Sequence, residues 1–121
     1  MQTYLVTGGA GFIGSSLIRE LLKHNGNKLV MLDAITYSGR RENFSELTGD
    51  SSFTFVEGNI CDNQLCHQLI LDIRPDGIIN IAAETHVDRS IDSPDVFIQT
   101  NVVGTQILLK SYAETKKNLE V

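Results

Sequence analysis

The stretch TGGAGFIG, Thr7 to Gly14, limits what this chain can fold into more than any other feature. It satisfies two overlapping glycine templates, Gly8-x-x-Gly11-x-x-Gly14 and Gly9-x-Gly11-x-x-Gly14, and it lies between two different periodicities. Before it, Tyr4 to Val6 is a short β-type run. After it, Ile13, Leu17 and Leu21, with Ile18 and Leu22 beside them, recur at helical spacing. A strand must therefore turn sharply into a helix. Glycines at that corner let the backbone turn and approach a ligand closely, and Gly14 lets the helix pack tightly on the strand. The helix N-terminus adds free N–H groups and a positive dipole end, a combination suited to a pyrophosphate.

The next acid narrows the ligand. Asn25-Gly26 reads as a helix C-cap, Lys28 to Leu32 as a second strand, and Asp33 closes that strand 19 residues after Gly14. A carboxylate there can accept both hydroxyls of an adenosine ribose and repels a 2'-phosphate. The spacing thus predicts NAD in preference to NADP, with Arg40 and Arg41 the residues that soften the exclusion.

Alternation continues downstream. Residues 34–52 are rich in Ser, Gly, Thr and Asn, with one short helical turn around Glu42 to Leu47; Phe53 to Val56 reads as a third strand. A helix is expected over Asn63 to Asp72 with Leu65, Leu69, Ile70 and Ile73 inward, and Pro75-Asp76-Gly77 turns into a fourth strand, Ile78 to Ala82. From Val96 to about Lys116 a long helix carries apolar residues on more than one face. Strands alternating with helices predict the α/β class: a Rossmann-type doubly wound parallel sheet with helices on both faces and strand order 3-2-1-4. No repeat or linker divides the chain, so residues 1–121 read as one domain.

Composition bounds the rest. At 121 residues and 41% hydrophobic the chain can build one core, but it is small for an enzyme that must also form a substrate domain. The net charge is -5 and the basic residues are scattered, which excludes an electrostatic footprint for nucleic acid. No apolar run reaches the length of a membrane span and no leader-type segment opens the chain, so a soluble cytoplasmic protein is expected. Cys61 and Cys66 match neither a redox C-x-x-C nor a zinc ribbon and are expected to be free thiols in a reducing compartment, with a lone structural disulfide as the weaker alternative.

The stretches TGGAGFIG (7–14), LDAITYSGRRENF (32–44), GNICD (58–62), AAETHVDRSI (82–91) and FIQTNVVGT (97–105) cover nearly the whole chain. Through them it resembles the extended short-chain dehydrogenase/reductases, and within that group the dTDP-glucose 4,6-dehydratase family. The glycine stretch marks the wider group, whereas AAETHVDRSI is far more restrictive. Carried over by position, the resemblance implies NAD contacts from Gly8, Gly11, Phe12, Ile13 and Gly14 at the helix entry, and from Asp33, Ala34, Ile35 and Thr36 at the adenosine ribose. It further implies Asn59 and Ile60 at the adenine, and Ile81, Ala82, Ala83, Glu84, Thr85 and Thr100 along the nicotinamide half. Thr85, where the family usually carries Ser, and His86 would meet a nucleotide-sugar substrate. Asn59 replaces a customary Asp, but its amide oxygen can still accept from the adenine amino group.

The polar run Glu84, His86, Asp88, Arg89 also admits a metal site or a His-activated nucleophile at Ser90. Both are weak: no further His or Cys lies close in sequence, and no nucleophile elbow surrounds Ser90. Its place after strand 4 instead faces it toward cofactor and substrate. For His86, Asp88 and Arg89, bracing of the loop and contact with substrate both stay open.

The resemblance also implies a reaction: hydride leaves sugar C4 for tightly held NAD, water is eliminated across C5 and C6, and the hydride returns to C6. It implies a homodimer formed through the Val96 to Lys116 helix. The family's base, a Tyr in Y-x-x-x-K, and its Thr-Asp-Glu run after strand 5 have no counterpart here. YAETK from Tyr112 fits the first pattern but lies in the helix after strand 4, too early in the fold, and is a decoy. No catalytic residue is therefore assigned. The chain is expected to be the N-terminal, NAD-binding part of a longer enzyme, without turnover alone and with an apolar fourth strand at its edge. A nucleotide-sugar 4-epimerase of the same group, or a non-catalytic NAD-binding module, are the alternatives.

Overall fold

Strands β1 (Gln2–Thr7) and β2 (Asn27–Asp33) form the centre of a four-stranded parallel sheet, flanked by β3 (Phe53–Glu57) and β4 (Gly77–Asn80), in the order β3-β2-β1-β4. This is the doubly wound order the alternation predicts. The computed structural model describes residues 2–8, 12–24, 26–34, 42, 44–81, 95 and 98–119, with backbone alone at 12, 100 and 116–119.

Helices cover both faces, and the core divides accordingly. On one face Leu5, Val30 and Leu32 pack with Ile60, with Cys66 and Ile70 of helix α2 (Asn63–Ile73), and with Leu108 of helix α3 (Thr105–Leu119). On the other, Val6, Leu29 and Met31 pack with Phe44, Phe53 and Ile18 of helix α1 (Phe12–Leu22). Neighbouring residues of one strand thus serve opposite cores, as the two-residue period of a strand requires. Four consecutive buried residues, Leu29 to Leu32, follow from burial on both sides. Burial of a side chain such as Ile70 contributes about 1.5–3 kcal/mol.

Local chemistry sets the helix ends. Asp62 caps α2 by accepting from the Leu65 N–H (3.1 Å), which explains one residue of the GNICD stretch without a ligand. At the other end Arg74 takes the left-handed conformation (φ 46°) and donates its N–H to Ile70 O (2.9 Å).

Several boundaries differ from the sequence expectation. β4 ends at Asn80, not Ala82, because its partner β1 stops at Thr7 (Thr7 pairs with Asn80) before the chain turns at Gly8. The long helix is not uniform: Gln99–Gly104 is π-helical and α3 starts at Thr105. Ile13, placed on the apolar stripe of α1, is 70% exposed, while Gly14 and Ser15 face inward. Within 34–52 a 3-10 turn forms at Ser45–Leu47, next to Phe44, whose ring packs 4.9 Å from Phe55 and 6.1 Å from Phe53. Ala82 and the start of the expected helix at Val96 lie outside the described residues.

Candidate functional site

Strand register brings Gly8, Asp33 and Ile81 to one edge. Thr7 pairs with Leu32, and the Gly8 N–H donates to Leu32 O (3.0 Å), so the glycine corner lies beside Asp33, the next residue of β2. Gly8 has φ 79°, the left-handed region that a side chain disfavours, and this starts the turn from β1 toward α1. On the far side of Asp33 the Gly58 N–H donates to Asp33 O (3.0 Å), and on the far side of Thr7 the Ile81 N–H donates to Thr7 O (2.9 Å). Gly58, Asp33, Gly8 and Ile81 therefore follow one another across the carboxyl ends of the strands. The order reverses between β1 and β4, where sheets of this kind leave a crevice.

The predicted residues that fall within the described structure then have definite places. Phe12 begins α1, and Ile13 in its first turn presents an exposed apolar surface beside the crevice. Gly14 is buried in that turn, in keeping with its packing role. Asp33 is half-buried, paired in register with Glu57, and Ala34 is exposed. Asn59 is exposed, and its Oδ1 accepts from the Cys61 N–H (2.9 Å), which leaves a second lone pair for another donor. Ile60 is 3% exposed and packed in the core, so what it can offer a ligand is its backbone. Ile81 packs on the α1 side of the sheet. The backbone of Thr100 belongs to the π-helical turn. Gly11, Ile35, Thr36, Ala82, Ala83, Glu84, Thr85 and His86 lie outside the described residues, as do Arg40, Arg41, Asp88, Arg89 and Ser90.

One polar chain at this edge escaped the sequence reading. Thr7 Oγ1, fully buried, donates to Asn80 Oδ1 (2.5 Å); Asn80 Nδ2 donates to Thr105 Oγ1 (3.2 Å); Thr105 Oγ1 donates to Asn101 O (2.9 Å). The available signal was Asn80 itself, a polar residue closing an otherwise apolar strand. Nearby, the Cys61 thiol donates to Gln99 O (2.9 Å). Both cysteines are free; burial pushes the Cys66 thiol up to about 11 and raises Cys61 as well, so neither is primed as a nucleophile.

The decoy is resolved by position. The Tyr112 hydroxyl donates to Asp76 O (3.0 Å), and Asp76 in turn accepts the Thr3 N–H on its carboxylate (2.8 Å) and donates its own N–H to Thr3 O (2.7 Å). Thr3 and Asp76 stand at the amino ends of β1 and β4. The phenol is thus a strand length from the crevice.

Comparison with known proteins agrees with this geometry. The family model described as GDP-mannose 4,6 dehydratase matches residues 5–121. A dTDP-glucose 4,6-dehydratase of Xanthomonas campestris pv. campestris (strain B100) is 47% identical over 119 residues, which cover 98% of this chain and 34% of that protein. Among solved structures, DesIV, a dTDP-glucose 4,6-dehydratase from Streptomyces venezuelae with NAD bound, is 41% identical, with TM-score 0.87 over 94% of this chain and 36% of that one. A UDP-Glc/GlcNAc 4-epimerase from Campylobacter jejuni has the same TM-score, 0.87, at 28% identity, over 96% of this chain and 35% of that one. The chain thus spans about a third of the length of these relatives.

Proposed function

The chain belongs to the GDP-mannose 4,6-dehydratase family, and from that premise we propose that it is the NAD-binding part of a dTDP-glucose 4,6-dehydratase. The observation that carries the reading is the register at the carboxyl edge: the Gly8 to Leu32 hydrogen bond holds the glycine corner next to Asp33. Identity of 41% to the dehydratase DesIV, against 28% to an epimerase of equal TM-score, favours the dehydratase over its runner-up.

The residues fit a dinucleotide. The start of α1 offers N–H groups to the pyrophosphate, and exposed Ile13 offers an apolar contact. Asp33 accepts from the adenosine ribose hydroxyls, and Glu57 beside it adds negative charge that disfavours a 2'-phosphate. Asn59, with Asn59 Oδ1 already turned toward Cys61, bounds the adenine, together with the backbone of Ile60. Ala34, Ile35 and Thr36 continue the ribose side; Ile81, Ala82, Ala83, Glu84, Thr85 and Thr100 line the nicotinamide side, with Thr85 and His86 toward the nucleotide sugar.

When bound, NAD supplies reversible acceptance of hydride from the sugar. This chain's own residues orient the dinucleotide and form the wall against which the sugar lies. They do not include the proton-transfer groups, since the only Tyr in a Y-x-x-x-K pattern is Tyr112, at the other end of the sheet. The chain alone therefore binds NAD without turning over dTDP-glucose. Exposed Ile98, Val102 and Leu109 follow one another along the outer side of the π-helical turn and α3, and support a homodimer of the whole enzyme through that face. Free thiols support a cytoplasmic setting, and among the described residues no helix is long and apolar enough to cross a membrane.

Calorimetric titration of the purified chain with NAD and with NADP tests the reading. NAD binds more tightly; tighter NADP, or no NAD binding, overturns it.

A further inference from the structure

We propose that Asn80 is a positioning residue for the dinucleotide, acting through Thr105 on the π-helical turn that carries Thr100. The inference rests on the NAD-binding reading and adds a residue to it.

Holding β1 to β4 is already accomplished by the backbone. Thr7 pairs with Asn80 in the ladder, and the Ile81 N–H donates to Thr7 O (2.9 Å). What the Asn80 side chain adds is a link to a third element. Its Oδ1 takes the Thr7 hydroxyl, at the residue immediately before Gly8, and its Nδ2 reaches across to Thr105 Oγ1 at the first residue of α3. The Thr105 hydroxyl in turn donates a hydrogen bond to Asn101 O inside the π turn (2.9 Å). Every donor in the series has one acceptor, so the relay has a direction, and its fully buried end, the Thr7 hydroxyl, loses its acceptor if Asn80 is made apolar.

A π turn is an uncommon form that needs specific contacts to persist. Among the described residues, contacts of this kind come from more than one element. Gly104 has no Cβ, and one placed there would meet Ile60 Cδ1 and Cγ1 at 2.5 Å. The Cys61 thiol donates to Gln99 O. Asn80 supplies another, and this one leads back to Thr7, the residue before the glycine corner. The other contacts tie it to residues 60 and 61, on the adenine side. Asn80 therefore helps to set how far Gln99–Gly104 stands from Gly8, which is the width a bound dinucleotide must match.

Calorimetric titration of the full chain with NAD, run well below the melting temperature of each variant, tests this with Asn80→Ala, Thr105→Val and Thr105→Ser. Asn80→Ala and Thr105→Val each weaken NAD about tenfold, their double variant is no worse than either, and Thr105→Ser, which keeps the hydroxyl, binds like the unaltered chain. Unchanged affinity in Thr105→Val overturns the inference while NAD binding by the unaltered chain upholds the reading beneath it. So does a Thr105→Ser variant as weak as Thr105→Val, which would mean that the hydroxyl is not what matters. An unaltered chain that does not bind NAD overturns both.

Discussion

At the amino end of the sheet, Asp76 joins β1 to β4 and receives Tyr112 from α3; at the carboxyl end, Asn80 joins the same strands and reaches Thr105, also from α3. Both fasten three elements, yet every hydrogen bond of the first includes a backbone atom, whereas the second links the strands to α3 from side chain to side chain, beside the backbone ladder. Backbone N–H and C=O groups have few alternatives, and a fastener made from them serves stability. Side-chain groups set a distance that can be tuned, and the end that carries them is the one where the glycine corner and Asp33 converge. The difference separates the edge that holds the fold from the edge proposed to hold a ligand.

Substitution of the aspartate at each edge is the strongest way to break that contrast. Asp33→Ala should weaken NAD about 100-fold in a calorimetric titration while the urea midpoint hardly moves. Asp76→Ala should do the reverse, costing about 1 kcal/mol in urea unfolding with NAD affinity unchanged. If both variants lose stability and keep affinity, the edges do not differ in role. Next in size is Gly104→Ala, whose new methyl would press on buried Ile60; a loss of about 1–3 kcal/mol is expected by the same unfolding measurement. An unchanged midpoint would mean that the π-helical turn is not pinned by this contact.

The smallest effect lies away from both edges, where Arg19 of α1 meets Glu46 of the 3-10 turn (2.5 Å). A backbone N–H and then the Arg19 guanidinium hold the Glu46 carboxyl below its ordinary value of 4.5. Because the folded value is the lower one, the contribution is present above about 4.5 and fades as pH falls through the folded value. The melting-temperature difference between the unaltered chain and Glu46→Gln should accordingly be small at neutral pH and vanish in acid. A difference that grows on acidification would contradict the assignment.

The strand and helix sequence was legible because each element carries its own period: Leu29 to Leu32 as an unbroken apolar run, Leu65, Leu69 and Ile70 at helical spacing. The glycine corner and Asp33 were legible because their roles depend on positions along the chain. Phe44 was not, since a single apolar residue in a polar stretch has no period, and only Phe53 and Phe55 across the sheet reveal its burial. Cys66 belonged to the inward face of α2 but reads as a reactive group rather than a core one. The π-helical turn was invisible for a different reason. Its pins are Ile60, Cys61 and Asn80, all distant in sequence, and six residues are too few to tell one helical period from another. The proposed contacts at Ala82 to His86 rest on the resemblance, because those residues lie outside the described structure.

The π-helical turn also determines where this segment can change length. A π turn closes its hydrogen bonds over one residue more than an α turn, so loss of one residue from Gln99–Gly104 can be absorbed by reversion to α geometry. The inward positions of α3, Leu108, Ser111 and Thr115, would then keep their facing. The same deletion placed inside α3 would rotate everything beyond it by about 100° and turn that face away from α2. Insertions and deletions in related chains should therefore gather in the six residues before Thr105 and spare the helix after it.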